Sequence, residues 1–437
     1  MKKEEFSYIF NLLDINEKKL TALSNQVGFI KRVRKVDSLD FIYSLSMESI
    51  KGIASCNDIA ALLEADGHIS VSRQAIWKKL TGSCLDYVKL VLELVILNKI
   101  HYQNKILNCR FKRVLVQDST IIRLPGKLFS LFSGVSNGFT SACHARIQGT
   151  YDLLSGKFIS FSIDPYSKND LDAAKEMEIE KNDLTLRDRG YLSVSEIKRH
   201  LSCGAHFIYR HKLKMALLDP ETKKPIDLYS RLVKEEGELD ILVMLNDDQN
   251  TIVRLVASPV SEQMANSRRM KLKKESSGHR PCKQLLQLQS WTILLTTIKS
   301  DLADFKTILE IYSLRWRIEI IFKSWKSNFQ FDCIHNVSNI QLQSILIARL
   351  IMILIITHIV YPICKILINN FNERELSLLK LTKYLSRHPV KLHGILKELT
   401  ERSTHIGKSI TALARYCVYD KRQRLNAMQK MEVLSLS

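Results

Sequence analysis

The chain lacks any sign of a disulfide framework or of a zinc-binding motif. Its nine cysteines are odd in number, are scattered from Cys56 to Cys417, and include no Cys-x2-Cys pair. Closely spaced cysteine pairs are typical of small secreted scaffolds and of zinc sites, so the sequence argues against both classes. The cysteine pattern therefore favours a reducing compartment.

The chain also has little that favours secretion or a membrane. Its first residues, MKKEEFSYIFNLLDINEKK, place acidic side chains where a signal peptide requires a continuous apolar run. The most apolar run, Leu350 to Cys364, contains His358 and Pro362 and follows Arg349. It is shorter than the roughly 20 residues that a spanning helix requires. We expect a buried core helix there and no membrane contact.

What the sequence has in excess is positive charge. Its 437 residues include 65 Lys+Arg against 45 Asp+Glu, which gives a formal net charge of +20 and a pI near 9.5. Such an excess indicates a polyanionic partner, with nucleic acid ahead of an anionic membrane, and leaves the reaction open. The length and a hydrophobic content of 46% predict two to four modules with sizeable cores.

The N-terminal region, to about residue 105, shows apolar residues at the three- and four-residue intervals of helices. Within it, segment 57–80 predicts two short helices around a turn at Asp66-Gly67, with Ser72 as the cap of the second. That second helix is expected to bury Ile76 and Leu80 and to expose Arg73, Gln74, Lys78 and Lys79. A DNA-reading helix-turn-helix and an ordinary helical pair with a basic outer face both fit this pattern.

After Arg110 the pattern changes to short β-branched runs separated by turns. The predicted elements are a strand over Arg113–Ser119 that ends at Asp118, strands over Ala145–Leu154 and Lys157–Ile163, a helix over Asp170–Lys181, and a strand that stops at Asp188. This order is expected of a ribonuclease-H-like core: three strands, a helix and a fourth strand, with acids at the ends of the first and last strands.

The next region, from about 212 to 298, again predicts strands, at Leu239–Leu245, Thr251–Ala257 and Trp291–Thr297. A basic, polar stretch interrupts them at Ser267–Lys283. We expect it to be either a solvated loop or a contact with the phosphate backbone, and the sequence favours the two interpretations equally.

The run Ile311 to Phe329 predicts a single helix with two faces. Tyr312, Arg315, Glu319 and Lys326 follow one another at intervals of three, four and seven residues and so share one stripe. A neighbouring apolar stripe would fix the helix against a core; it consists of Ile311, Leu314, Ile318, Phe322, Trp325 and Phe329. A plain amphipathic helix with a surface ion pair has the same spacing.

The spacing Tyr-x2-Arg-x3-Glu-x6-Lys resembles the signature of insertion-sequence transposases of the IS-four family, DDE-type enzymes with a ribonuclease-H-like catalytic core. The family also has two upstream catalytic aspartates, and Asp118 and Asp188 match their contexts. The resemblance therefore implies that Asp118, Asp188 and Glu319 are the catalytic and metal-binding acids. Asp152, Asp164 and Asp183 are competitors that fit the strand pattern less well, and an aspartate at a strand end is often only a turn former.

The resemblance also implies a metal and a set of DNA contacts. Two Mg²⁺ ions, with Mn²⁺ as a substitute, would serve phosphodiester chemistry, for which a sparse set of carboxylates is enough. Tyr312, Arg315 and Lys326 would hold DNA phosphates. Trp291 matches a tryptophan that holds a flipped base, although a buried structural tryptophan fits equally, and Arg210 is a weaker candidate for a DNA contact.

The sequence as a whole thus predicts a mixed α/β fold. It comprises a ribonuclease-H-like core with a largely β insertion, flanked by helical N- and C-terminal regions. The expected division is a DNA-binding region at 1–108, a core at 109–211 and 299–368, an insertion at 212–298 and a helical region at 369–437.

The expected function is that of a bacterial DNA transposase, cytoplasmic and associated with the nucleoid through DNA. It would bind terminal inverted repeats and target DNA as a homodimer and perform cut-and-paste transposition by phosphodiester hydrolysis and strand transfer. Two other functions remain open: a ribonuclease-H-type nuclease that cuts without joining, and a transposase-derived DNA-binding protein without activity.

Overall fold

The N-terminal region is helical, as predicted. The computed structural model describes residues 2–52, 54–97, 110–137, 140–212, 215–234, 237–276, 280–372, 375–388, 391–392, 394–395, 398 and 407–419. Its first helices are α1 (Lys3–Leu12), α2 (Glu17–Gln26), α3 (Ser38–Ser49), α4 (Cys56–Gly67), α5 (Arg73–Lys79) and α6 (Gly82–Leu97). The predicted boundary at 108 lies outside the described residues.

The predicted helical pair corresponds to α4 and α5. The Ser72 hydroxyl accepts a hydrogen bond from the Ala75 N–H and caps α5, which is the predicted cap. Ile76 and Leu80 are buried, and Arg73, Gln74 and Lys78 are exposed, as predicted, whereas Lys79 is half-buried. The geometry of the pair is therefore confirmed, and its role in reading DNA stays a prediction.

The centre of the molecule is one mixed sheet. Its first strands are β1 (Arg113–Leu124), β2 (Ser133–Asn137), β3 (Thr140–Asp152), β4 (Lys157–Pro165), β5 (Asp183–Arg187) and β6 (His206–Arg210), with α7 (Asp170–Glu176) and α8 (Val194–Ser202) between them. β1 pairs antiparallel with β3 and parallel with β5, β3 pairs antiparallel with β4, and β5 pairs parallel with β6. The resulting order, β4-β3-β1-β5-β6, is that of a ribonuclease-H-like core and confirms the predicted fold class.

Several core elements have other bounds than predicted; β3, for example, begins at Thr140 and not at Ala145. β1 continues past Asp118 to Leu124 because the long strand β3 pairs with it along its whole second half. α7 ends at Glu176 and not at Lys181, because arginine side chains bind its last carbonyl groups: Arg187 and Arg199 both donate to the Ala174 carbonyl.

The insertion extends the core sheet. It contains β7 (Leu217–Leu218), β8 (Leu239–Leu245), β9 (Ile252–Pro259) and β10 (Trp291–Thr296), with helices α9 (Leu228–Lys234), α10 (Glu262–Glu275) and α11 (Lys283–Gln287). β10 pairs antiparallel with β6, and β9 lies between β10 and β8. A second hydrophobic core, which includes Phe207, Leu232, Val243, Leu255 and Leu295, packs around these strands.

The prediction of a loop at Ser267–Lys283 was wrong for its first half, which belongs to the 14-residue helix α10. Among the residues of α10 only Ala265 is buried. The sequence of α10 therefore lacks the apolar periodicity that normally indicates a helix. Polar bonds, and not a hydrophobic face, hold α10 against the fold.

The C-terminal half is helical. Its described residues include α12 (Phe305–Ser313), α13 (Trp316–Phe329), α14 (Asn339–Ile355), a π-helical segment (Ile356–Val360), α15 (Tyr361–Asn372), α16 (Leu378–Arg387) and a helix at Lys408–Tyr416. Among the described residues one helical stretch, Asn339–Ile368, is long and apolar enough to cross a membrane, and 67% of its most apolar window is buried in the fold. The run at Leu350–Cys364 is thus a core helix, as predicted.

The prediction of one helix over Ile311–Phe329 was wrong, because the α-helix is interrupted between α12 and α13. At the break the N–H groups of Leu314, Arg315 and Arg317 each bond to the carbonyl three residues before them, at 3.0–3.1 Å. This single tightened turn contains neither proline nor glycine, so the sequence gives no signal of it. The predicted apolar stripe is nevertheless buried throughout.

A buried histidine in this core should make stability depend on pH. The Nε2 atom of His358 accepts the Phe158 N–H at 3.2 Å, and burial lowers the pKa of His358 to about 3. Because the pKa of His358 is lower in the folded than in the unfolded state, the neutral side chain contributes its full stabilisation above the unfolded pKa near 6.5. This stabilisation is lost as pH falls towards 3. Between pH 7 and pH 5 we expect the histidine to cost about 2 kcal/mol of unfolding free energy.

Urea unfolding of the His358→Gln variant tests this expectation, because a glutamine can still accept the bond and does not titrate. Its unfolding free energy should fall less between pH 7 and pH 5 than that of the wild type. His388→Gln, at an exposed position, serves as the control and should keep the wild-type slope. Equal slopes for His358→Gln and the wild type would contradict the assignment.

Candidate active site

Asp118 lies inside β1, not at its end. Its backbone pairs with Gly149 of β3, and its side chain is 21% exposed. The Oδ1 atom accepts the Ser119 N–H at 2.8 Å. The carboxylate is therefore fixed on one face of the central strand.

Asp188 directly follows β5, the parallel neighbour of β1. The pairing of Val116 with Leu186, extended by two residues, places Asp188 beside Asp118 across a strand spacing of about 4.8 Å. The Oδ1 atom of Asp188 is buried and has no hydrogen-bond partner among the described residues. A buried carboxylate oxygen without a donor is costly, so it indicates a position where a cation would bind.

Glu319 lies in the first turn of α13, and this helix packs on the face of the sheet that carries Asp118. Gly149 permits this approach: a Cβ atom there would lie 3.2 Å from the Phe322 ring of α13 and 2.9 Å from the Phe158 ring. The absence of a side chain opposite Asp118 thus lets α13 pack closely on the sheet. Trp325, fully buried, fixes the next turn of the helix.

Arg315 joins the acids. Its Nη2 atom lies 2.6 Å from Glu319 Oε1, and its Nη1 atom lies 3.6 Å from Asp118 Oδ2. The residue is only 6% exposed. Its position at the break between α12 and α13 directs the guanidinium towards β1 and also back to Glu319.

The charged groups of the site influence one another's pKa values. Burial raises the pKa of Asp118 to about 7; Arg315 opposes this shift, while Glu319 and Asp188 add to it. Burial alone would lower the pKa of Arg315, but attraction to Tyr312, Glu319, Asp188 and Asp118 raises it above its ordinary value. The site therefore holds three carboxylates around a single guanidinium.

These residues fit a hard divalent cation by their chemistry, since carboxylate oxygens are the ligands that Mg²⁺ prefers. The orphaned Asp188 oxygen indicates a position that a cation could occupy; burial, which raises the pKa of Asp118, disfavours its charged form, and a bound cation would restore that form. Within the described ranges, however, no group of three acidic, histidine or cysteine side chains is arranged closely enough to hold an ion as it stands. The Arg315 guanidinium is bonded to Glu319 and lies 3.6 Å from Asp118 Oδ2.

The other two signature residues lie on either side of this centre. Tyr312 is buried, its hydroxyl makes no hydrogen bond to a described residue, and burial raises its pKa to about 12. Lys326 donates to the Ile121 carbonyl of β1 at 2.7 Å. The bond ties α13 to β1, so Lys326 has a structural role even without DNA.

Arg210 and Trp291 lie together beside this centre. They line a small pocket together with Arg189, His211 and Leu288, among others. The Trp291 indole packs edge-on against Tyr229, with ring centroids 6.5 Å apart, and its buried Nε1 atom has no hydrogen-bond partner among the described residues.

The competing aspartates are engaged elsewhere. Asp183 is fully buried in a two-bond pair with Arg113, at 2.9 and 2.6 Å. Asp152 accepts the N–H of Val114 and those of the turn that follows β3. Asp164 bonds to the Lys168 ammonium at 3.0 Å. Each therefore has a structural partner.

Sequence reasoning missed two arginines of the site. Arg187 is fully buried and donates to Glu196 and to the Tyr209 hydroxyl, which anchors the end of β5 before Asp188. Arg268 of α10 bonds to the Trp291 carbonyl and to Thr292. The position of Arg187 directly before Asp188 was a usable signal. The basic run around Arg268 was interpreted as a loop or a phosphate contact, and nothing in it indicated the bonds of Arg268 to the start of β10.

Comparisons with known proteins agree with this architecture. A family model described as a transposase DDE domain matches residues 110–355. The transposase for insertion sequence element IS231B of Bacillus thuringiensis subsp. berliner is 27% identical over 420 residues, covering 89% of this chain and 86% of that protein. The transposase for IS1151 of Clostridium perfringens is 27% identical over 409 residues, covering 87% and 85%.

Among solved structures, the piggyBac transposase synaptic complex with hairpin DNA aligns with a TM-score of 0.47 and 10% identity. The alignment covers 97% of this chain and 87% of that chain. A TM-score below 0.5 is a loose likeness and carries no conclusion about function.

Proposed function

Because the chain belongs to the transposase DDE domain family and is a DNA transposase of an insertion sequence, we propose that it works by cut-and-paste transposition. In this proposal it binds the terminal inverted repeats, hydrolyses the phosphodiester bonds at the element ends, and joins the 3′ ends to target DNA. The observation that carries the proposal is the convergence of Asp118, Asp188 and Glu319 around Arg315.

The three acids are proposed as ligands of two Mg²⁺ ions, which Mn²⁺ could replace. When bound, such a pair of ions supplies an activated oxygen nucleophile and neutralises the leaving oxygen. Asp118 and Asp188 are held by neighbouring strands, whereas Glu319 is held by a helix and by Arg315. The rigid sheet thus fixes two ligands, and the third adjusts with its side chain.

Arg315 is proposed to change partners when DNA binds. Its planar guanidinium can bind a phosphate with two parallel hydrogen bonds as readily as it binds a carboxylate. Releasing Glu319 would free that carboxylate for a cation and direct the arginine to the phosphate. The unpartnered Tyr312 hydroxyl would donate to the same or the next phosphate.

Arg210 and Trp291 are proposed to contact the DNA strand beside the cleaved bond. A base stacked on an indole gains roughly 1–3 kcal/mol. Because Trp291 now packs against Tyr229, this role requires the indole or the wall of its cavity to move. Two element ends must be processed together, so we propose a homodimer on DNA, in the bacterial cytoplasm.

A cleavage assay on a labelled element end tests this function. With Mg²⁺ the wild type should give both cut and joined products, and removal of the metal by a chelator should abolish both. Cut ends without joining would instead indicate a nuclease. Binding without cutting would indicate a DNA-binding protein that has lost activity.

Replacement of Lys326 by alanine should weaken binding of the element end. The lysine would contribute about one phosphate contact, so the slope of log Kobs against log salt should fall by about 0.9. Lys323→Ala is the matched control, because Lys323 is exposed on the same helix and lies outside the signature. A wild-type slope for Lys326→Ala would limit this lysine to its bond with the Ile121 carbonyl.

A further inference from the structure

A polar network lies on the face of the sheet opposite α13. Ser119 and Gln148 pair directly with each other across β1 and β3. Because neighbouring residues of a strand point to opposite faces, both lie on the other side of the sheet from Asp118. α7 covers that side, since the Gln117 side chain donates to the Ala173 carbonyl at 2.9 Å. The sheet therefore separates this network from the acids.

Asp170, the first residue of α7, is the centre of the network. Its Oδ1 atom accepts hydrogen bonds from the Arg146 guanidinium at 2.6 Å, from the Gln148 amide at 3.3 Å and from the Ser119 hydroxyl at 3.5 Å. The Oε1 atom of Gln148 in turn accepts the Tyr191 hydroxyl at 3.0 Å. Gln148 and Tyr191 are both buried. A bond between two buried groups is costly to lose, so this bond fixes both side chains.

The other Asp170 oxygen, Oδ2, lies against Gly190. A Cβ atom on Gly190 would lie only 2.8 Å from this oxygen. Gly190 and Tyr191 belong to the short 3-10 turn that Asp188 begins, and the Tyr191 N–H donates to the Asp188 carbonyl at 3.1 Å. Asp170 thus contacts the turn directly and is also connected to it through Gln148 and Tyr191.

The network connects the two aspartates where the strand pairing does not. The ladder between β1 and β5 ends with Val116 and Leu186, two residues before Asp118 and Asp188. Beyond that pair, the network joins Ser119, which directly follows Asp118, to the turn that Asp188 begins. The separation of the two acids matters, since Mg²⁺ requires its oxygen ligands at closely defined distances.

We propose that Asp170, Gln148 and Tyr191 are positioning residues that set the separation of Asp118 and Asp188, and with it the affinity of the site for its divalent cations. The inference rests on the proposed function, because it requires the acids to bind metal. The three residues act through the strand and the turn that carry the acids. Loss of a group that orients metal ligands typically lowers metal affinity by about 10- to 100-fold.

The test measures Mn²⁺ binding without catalysis. The full chain is bound to an element-end duplex that is already cut and ends in a 3′-dideoxynucleotide, and free Mn²⁺ is followed by electron paramagnetic resonance. Tyr191→Phe keeps the ring and removes the bond to Gln148. Its Kd for Mn²⁺ should therefore be about 10-fold or more above that of the wild type.

Tyr87→Phe is the matched control. The Tyr87 hydroxyl is buried in the N-terminal helices and donates to the Ser38 carbonyl at 3.0 Å, so this variant also loses one buried bond of the same length. Urea unfolding should show similar losses of stability for the two variants. Only Tyr191→Phe should lose affinity for Mn²⁺, whereas a merely structural role would leave both at the wild-type Kd.

A second set of variants tests the contact of Asp170 with the turn. Gly190→Ala should weaken Mn²⁺ binding, because the new Cβ atom would push against the Asp170 carboxylate. In an Asp170→Ala background that carboxylate is absent, so Gly190→Ala should have little further effect. An equal loss in both backgrounds, or a wild-type Kd for Tyr191→Phe, would overturn the inference and leave the proposed function standing. A wild type that binds no Mn²⁺ at the element end would overturn both.

Discussion

Asp188→Asn should reduce cleavage of an element end by about 10³-fold or more while its binding to that end stays within a few fold of the wild type. An asparagine keeps the size of the side chain but removes the negative charge. Loss of one preorganised electrostatic contact at a reacting centre costs on the order of 10²–10³ in rate, and loss of a metal ligand should cost at least as much. The same result is expected for Asp118→Asn and for Glu319→Gln.

The control for these variants is Asp164→Asn, which changes a competing aspartate of the same core. Asp164 is bonded to Lys168, and we expect this variant to cleave at a rate close to that of the wild type. Binding that falls in parallel with cleavage in Asp188→Asn would make Asp188 a structural residue. Cleavage by Asp188→Asn at the wild-type rate would remove it from the site.

Arg349→Met should destabilise the fold by about 4 kcal/mol, the largest effect on stability that we expect from a single substitution outside the site. The Arg349 guanidinium is fully buried and donates to five backbone carbonyls. These belong to Ser49, Gly52, Gln330, Phe331 and Cys333. Methionine fills much of the volume but leaves these carbonyls unsatisfied, and each buried unsatisfied group costs about 1–3 kcal/mol before relaxation.

The same arginine connects the N-terminal helical region with the segment that follows α13. Ser49 ends α3 in the N-terminal region, whereas Gln330 follows directly on α13. Urea unfolding measures the loss, with Arg123→Met, at an exposed position of β1, as a control expected to change stability by less than about 0.5 kcal/mol. A loss below 1 kcal/mol for Arg349→Met would show that water or backbone movement satisfies the carbonyls.

The sequence predicted the parts of the fold that follow from periodicity. The buried strand before Asp118, the strand before Asp188 and the apolar stripe of α13 all depend on which residues face the core, and that pattern is visible in the chain. The break at Leu314 was not visible, because it is a shift from one hydrogen-bond pattern to another without proline or glycine. Nor was α10, whose inner face is made of Arg268 and Arg269.

For the candidate site, the sequence supplied the residue types and the structure supplied their neighbours. Asp118 and Asp188 are 70 residues apart in the numbering, and only the parallel pairing of β1 with β5 places them side by side. The position of Arg315 among the acids depends on the break before α13. The contact of Arg268 with the start of β10 depends on the insertion continuing the core sheet, which no local pattern indicates.

The measurement that tests the central claim most directly is anomalous diffraction from crystals of the protein bound to an element end and soaked in Mn²⁺. We predict two peaks, with carboxylate oxygens of Asp118, Asp188 and Glu319 about 2.1 to 2.2 Å from one or both and Arg315 turned to a phosphate. Peaks that leave any one of the three acids outside coordination distance, or no peak at all beside β1, would contradict the account.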